Sequence, residues 1–374
     1  MKIPLPKVVI SVLLFFLLQA TFAKSFLVGL TVKEINGLNQ PWASFGGGDT
    51  IYLEAGKRSS IQFSNLSGSA ERQLVIINKE SLVEFYSGSL PYGISIRNCH
   101  YLKLAGTGST KYIYGIKIAS VVNEGAGVGI SDRTDNIEME HVEVTNTKGP
   151  GVLCKTNPDC NTNAKNFTAF KFVFHHNYIH NTGTEGFYIG STAWGGEEII
   201  CDKVKKNILP PELINVKVYS NLVEHTGWDG IQISNSKNVL CYDNTVIYDS
   251  WKETEWQQSG IMIGGGTSGK FSGNIIEHGK GDAINCFGNE VEISDNTITL
   301  DNAGGKLAVY VSDKLCKDKA KIRIHENSIA ASSLPLIKFT QVGRSSKCDV
   351  KNNKLTPQFS IEKYFVVELE ETKN

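Results

Sequence analysis

Acidic side chains recur at one place in a repeated pentapeptide, and that place is where this chain could do chemistry. Glu185-Gly-Phe-Tyr-Ile, Asp229-Gly-Ile-Gln-Ile and Asp282-Ala-Ile-Asn-Cys each begin with an acid, and Ser259-Gly-Ile-Met-Ile falls between the last two. A second set lies upstream: Asn181, His225, Glu255 and His278. Trp228 precedes Asp229, and Lys280 lies two before Asp282. Paired carboxyls support glycoside hydrolysis, one as acid and one as base or nucleophile; a gap of about 5 Å favours retention and about 6.5–9.5 Å inversion. The other chemistry is elimination. There a cation neutralises a substrate carboxylate, and Lys280, His225 or His278 removes the neighbouring proton. No cofactor is demanded, but Glu185 and Asp229 would offer oxygen ligands to Ca2+. Like charges this close either raise a carboxyl pKa or require a cation. Asp-Gly is also a favoured turn dipeptide, so the same acids serve equally well as turn residues.

Alternate positions in these pentapeptides point away from the apolar ones. They are Tyr188, Gln232, Met262 and Asn285, with Tyr310 in a looser copy. Trp194, Trp251 and Trp256 stand in insertions that break the repeat. Aromatic faces meet sugar C–H groups and amides meet hydroxyls. Tyr188, Trp194, Trp228, Gln232, Trp251, Trp256, Asn285 and Tyr310 are therefore the expected substrate contacts, and a polysaccharide or oligosaccharide the expected partner.

What must position these residues is a solenoid. The Gly pentapeptide also appears at Tyr92, Tyr114 and Pro150. Between copies runs a second pattern, apolar-any-apolar-any-any-Asn-any-apolar, around Asn177, Asn221, Asn244, Asn274, Asn296, Asn327 and Asn353, with His141 in the Asn place of an earlier copy. Alternation marks half-buried strands. The Asn sits where alternation slips, so the chain bends there, in a backbone that Asn tolerates. Stacked amides would bond to one another as a ladder. Periods of roughly 22–30 residues fit three short strands and their turns. If the coils are consecutive, Glu185 and Asp229 lie about 5 Å apart, and Asp229 and Asp282 about 10 Å.

This pattern resembles the right-handed parallel β-helix of the pectate-lyase-like superfamily over roughly residues 45–360. The resemblance implies an all-β chain with three-strand coils, about 8–10 of them, a capped N-terminus and an Asn ladder. It implies carbohydrate contact without fixing catalysis. The Gly-His-Gly of polygalacturonases and the Asp-Pro-His of alginate epimerases are absent. Ca2+-dependent pectate lyases place an Arg near their acids, whereas none stands here between Arg133 and Arg323. The chain is most similar to the loosely defined exported β-helix proteins of polysaccharide-degrading bacteria.

Residues 1–23 read as a cleavable secretory signal, with Lys2, Lys7, an apolar run from Val8 to Leu18 and a small-residue end at Ala23. That run is too short to span a bilayer. A secreted or periplasmic protein without a membrane span is expected. Residues 24–60 should form the cap and first coil, 61–356 the helix, and 357–374 the far cap and tail. Formal charge is zero, which leaves no basic field for nucleic acid. The chain is taken as a monomer. Eight cysteines in an exported chain invite disulfides. Cys154, Cys241 and Cys286 fall in apolar columns and read as small core residues. Cys316 with Cys348 is the favoured bridge; Cys154 with Cys160 would conflict with the core role.

Three functions compete. The first is an enzyme, lyase or hydrolase, acting in a groove around Glu185, Asp229 and Asp282. The second is a non-catalytic carbohydrate-binding or surface protein using the same groove, and the third a structural adhesin.

Overall fold

The computed structural model describes residues 23–300, 306–312, 320–331, 336–342, 346–356 and 365–369. Residues 1–22 of the expected signal segment 1–23, and most of the expected far cap, lie outside these. Among the described residues, three parallel sheets of 12, 11 and 12 strands extend from Ser25–Val28 to Phe365–Leu369. One coil shows the path. Lys217–Tyr219 lies in sheet 1, Leu222–Thr226 in sheet 2 and Ile231–Ile233 in sheet 3, before the chain re-enters sheet 1 at Val239–Tyr242. Val218 faces Cys241, Val223 faces Val246, and Ile231 faces Ile261 in the next coil. Coils exceed the expected 8–10 because Ser25–Val28, Glu34–Asn36 and Gly56–Arg58 are already strands of the three sheets, although they lack the repeat motifs.

Each coil turns alternate side chains of its strands inward, so several inward columns run through the stack. Phe174, Val218, Cys241, Phe271, Ile293 and Ile324 form one inward column of sheet 1, all fully buried. Burying such a side chain contributes roughly 1.5–3 kcal/mol. Cys154, Cys241 and Cys286 are core residues, as their columns imply. The glycine of the pentapeptide has a steric reason. A Cβ on Gly230 would lie 2.4 Å from Val246 Cγ1 and 2.6 Å from the Gly260 carbonyl oxygen. At this position the chain passes too close to its neighbours for a side chain.

The Asn column is a continuous ladder. Each Nδ2 donates to the Oδ1 of the Asn in the next coil, from Asn177 to Asn353, at 2.8–3.0 Å. The same amide donates to a carbonyl of the preceding coil, as Asn244 does to Val218. Each Oδ1 also accepts the backbone N–H of the Asn one coil earlier, as from Asn221 to Asn244. Two expectations need correction. The left-handed residue is the one before the Asn, namely His176, Ser220, Asp243, Gly273, Asp295, Glu326 and Asn352. The Asn itself turns its amide inward to satisfy the corner. His141 therefore does not hold the Asn place: it pairs with His176, and Val142 stands against Asn177, whose Oδ1 accepts the Val142 N–H. The ladder starts at Asn177 because Val142 has no amide to extend it.

Insertions leave the barrel at two corners. The first two, from Lys155 and from Ser191, return the chain from sheet 3 to sheet 1. A disulfide, Cys160–Cys201, ties them together. Sequence spacing did not suggest it, because the partners lie 41 residues apart in irregular segments. Of the expected bridge, Cys316 lies outside the described residues, and Cys348 sits on an exposed strand. No helix among the described residues is long and apolar enough to cross a membrane.

Asn244→Ala removes amide bonds to two coils: those to the Asn221 N–H, the Asn221 amide and the Val218 carbonyl on one side, and that to Asn274 on the other. A loss of about 2–4 kcal/mol is expected, read as a lower urea midpoint; an unchanged midpoint would show that the ladder does not hold the corner.

Candidate functional site

The acid column stacks along one edge of sheet 3. Gly186 N–H donates to the Asp229 carbonyl, Gly230 N–H to the Ser259 carbonyl, and Ser259 lies in register with Asp282. Glu185, Asp229, Ser259 and Asp282 thus occupy consecutive coils. Their exposure differs sharply. Asp229 is 0% exposed and Glu185 2%, whereas Asp282 is half-buried and lines an open cavity of about 450 Å³. Two of the three expected catalytic acids are therefore sealed beneath the surface. The cause is the loop after sheet 2, which folds over this corner: Ser250 and Trp251 donate backbone N–H bonds to the Trp228 and Thr226 carbonyls, and Lys252 Nζ reaches the Gly183 carbonyl.

Burial governs their protonation. Desolvation raises the pKa of Glu185, of Asp282 and, most strongly, of Asp229. A Ser259 hydroxyl at 2.6 Å from Asp229 Oδ1 opposes the shift, while the charges of Glu185 and Asp249 add to it. Asp229 Oδ2 is buried without a hydrogen-bond partner. Each of these acids therefore holds its proton to a higher pH than an ordinary carboxylate does. That weakens the expected Ca2+ site at Glu185 and Asp229. Ca2+ takes six to eight oxygens, and among the described residues no third carboxylate or imidazole gathers with this pair within 4.8 Å.

One acid was not foreseen. Asp249 is buried and continues the column Thr147, Thr182, Thr226 at the corner between sheets 2 and 3. Burial pushes its pKa up to about 7, against a bond from the Ser250 hydroxyl. The neighbouring coil makes room for it: a Cβ on Gly279 would meet Asp249 Oδ2 at 2.2 Å. The break in the Thr column and the His278-Gly-Lys-Gly sequence were the available signals.

The outward row is in register as expected, Tyr188 to Gln232 to Met262 to Asn285 to Tyr310. Its middle is covered, with Gln232 1% and Met262 7% exposed. Tyr188 is engaged by its own surroundings, through Thr192 at 2.9 Å and Lys155 over its ring. Asn285 and Tyr310 reach the cavity, together with Gln258, Lys306 and Trp256. Lys306 Nζ donates to Gln258 Oε1 at 2.9 Å, and the Leu307 N–H donates to Asp282 Oδ1 at 2.8 Å.

The remaining expected residues lie elsewhere. His225 and His278 stack on either side of Tyr248, at 4.9 and 5.5 Å, along the corner that follows sheet 2. Tyr248, not Glu255, occupies the place between them; Glu255 lines the cavity instead. Lys280 pairs with Glu253 at 2.9 Å and covers the Trp251 ring at 4.3 Å, and it does not line the cavity. Trp194 is half-buried, its indole packed where a Cβ on Gly265 would be. Trp228 is half-buried at the corner beside Asp229. Trp256 is 75% exposed at the cavity rim.

Residues 199–364 match the family model described as the right handed beta helix region. The chain is a right-handed parallel β-helix protein. No curated protein matches it. Among solved structures, the β-helix is similar to a GH136 lacto-N-biosidase from Eubacterium ramulus, 12% identical, covering 89% of this chain and 67% of that one, with a TM-score of 0.62. It is also similar to an alginate lyase from Paenibacillus sp. str. FPU-7, 16% identical, covering 88% and 99%, with a TM-score of 0.51. At these identities the likeness is one of fold.

Asp249 binds a proton in the folded state that it has released in the unfolded state between its ordinary pKa of 3.8 and about 7. Its contribution to stability is thus whole below pH 3.8 and declines as pH rises to about 7. Asp249→Asn stays neutral, so its thermal midpoint should fall less over that window than wild type's. Parallel midpoint-against-pH curves for the two proteins would refute this.

Proposed function

We propose that this β-helix is an exported protein that cleaves a polysaccharide in the sheet 3 cavity, with Asp282 as the proton-transferring residue. One observation carries the proposal. Asp282 is the member of the acid column that meets solvent, and its pKa is raised by burial, so it keeps a proton to give to a leaving oxygen. Around it stand the groups a sugar needs: an indole at the rim, an amide from Asn285 and a phenol from Tyr310. Glu255 is the second carboxyl lining the cavity and would serve as base or nucleophile in hydrolysis.

A second reading has its own support. Lys306, Lys338 and Tyr310 line the same cavity. Cationic groups there would neutralise a uronate carboxylate, and a phenol can exchange a proton with the sugar, which is elimination chemistry. The similar solved structures bear one biosidase and one lyase name, so the scaffold accommodates both. A non-catalytic carbohydrate-binding protein would use the same cavity and is separated by turnover.

Neutral and acidic glycans should be screened for new reducing ends and for the ultraviolet absorbance of unsaturated products. Asp282→Asn should lower turnover by about 10²–10⁴-fold while leaving the fold intact. Asp229→Asn, which is sealed from the cavity, should act on stability more than on turnover. Undiminished turnover in Asp282→Asn would remove this residue from the reaction, and glycan binding without any product would leave a binding protein.

A further inference from the structure

Sheet 1 carries a different cluster, far from the acid column in the coil circumference and used by nothing above. Glu138 and Glu140 point outward from the strand Asp135–Glu140, and His175 ends the next strand, Phe172–His175, in register with Glu140. Among the described residues, this is the one set of three imidazole or carboxylate groups whose ligand atoms all lie within 4.8 Å of one another. His175 Nε2 stands 3.4 Å from Glu138 Oε1 and 3.6 Å from Glu140 Oε2. The first is a long hydrogen bond and the second lies just beyond hydrogen-bond range. They match the edge of a tetrahedron around Zn2+, since ligands about 2.0–2.2 Å from the metal lie about 3.3–3.6 Å from each other.

The imidazole is locked and aimed. Its side chain is 10% exposed, stacked on Tyr219 at 4.8 Å, with the His176 ring edge-on at 5.1 Å. His175 Nδ1 lies 2.8 Å from His176 Nδ1, and one of these must donate. When His175 donates, its Nε2 lone pair faces two carboxylates. A cation between them would favour that arrangement; when His176 donates instead, His175 Nε2–H donates to Glu138 Oε1. A second-ring N–H bond of this kind is also what orients metal-ligating histidines. His141, stacked on His176, has its buried Nδ1 without a hydrogen-bond partner, 3.8 Å from Glu140 Oε2. Lys103 Nζ bridges Glu138 Oε1 at 2.6 Å and Glu140 Oε1 at 2.8 Å. It shows that the carboxylates gather positive charge, yet it leaves Glu140 Oε2 and the imidazole to another cation.

We propose that His175 Nε2, Glu138 Oε1 and Glu140 Oε2 bind a divalent first-row metal ion of the Zn2+ type, with water in the fourth place. The nitrogen donor selects Zn2+ over Ca2+ or Mg2+, which prefer oxygen shells. The Lys103 ammonium, on a flexible stem, swings aside as the ion enters.

The test is calorimetric titration of untagged, chelator-stripped full-length protein with ZnCl2, with Co2+ spectra to report tetrahedral geometry. Wild type should bind one ion saturably. His175→Phe, which keeps the stack on Tyr219, and Glu140→Gln should each bind at least tenfold more weakly. Lys103→Met should bind severalfold more tightly, because the competing cation is gone. Melting midpoints of each variant separate lost ligation from lost folding, and Glu140→Gln decides the matter if His175→Phe fails to fold. Equal affinity in wild type and the ligand variants, or no saturable binding to wild type or Lys103→Met, overturns the site and leaves a lysine-bridged ion pair.

Discussion

The vertical register between coils is the constraint on which the rest depends. Three parallel sheets supply it through backbone bonds, but sheets alone leave the corners unpaired. The Asn ladder closes one corner by bonding its amides to the coils on either side, as Asn244 bonds to Asn221, Val218 and Asn274. With that corner pinned, a residue's place in its coil dictates which residue lies over it. The Phe and Ile columns, the Tyr219–Tyr242 stack and the acid row all follow from the same translation.

Register decides adjacency but not depth. The acid row illustrates the difference. Asp229 and Asp282 hold equivalent places two coils apart, yet one is sealed and the other opens on a cavity. The distinction comes from the loop between Asp249 and Gln258, whose backbone bonds to Thr226 and Trp228 roof the earlier coils. Its far end presents Gln258 to Asp282 and Lys306, and so borders the cavity. Sealing costs solvation, and the carboxyls answer it by retaining protons rather than by pairing with cations. An acid half-way out of such a row keeps the raised proton affinity and meets solvent, the combination the proposed general acid needs.

Tertiary context also relocated several polar residues. His225 and His278 share a coil corner with Tyr248 and stack with it instead of facing the acids. Lys280 is held by Glu253 and the Trp251 ring. Trp194 fills the space above the glycines that follow a sheet 3 strand. Each has the residue type that sugar chemistry uses, and Lys280 and Trp194 instead help to hold insertions against the coils.

Periodicity in the chain was sufficient for the solenoid, its inward columns, the Asn ladder, the core cysteines and the stacking of Glu185, Asp229, Ser259 and Asp282, because side chains in stacked coils repeat with the sequence. It also placed Tyr188, Gln232, Met262, Asn285 and Tyr310 in one outward row. Three things lay beyond it: which of those residues the loops cover, the buried Asp249, and the Cys160–Cys201 bridge. Insertions have no period, so where they fold back is settled by contacts between distant segments. Solvent access, and with it the proton affinity of every acid in the row, exists only once those loops have packed.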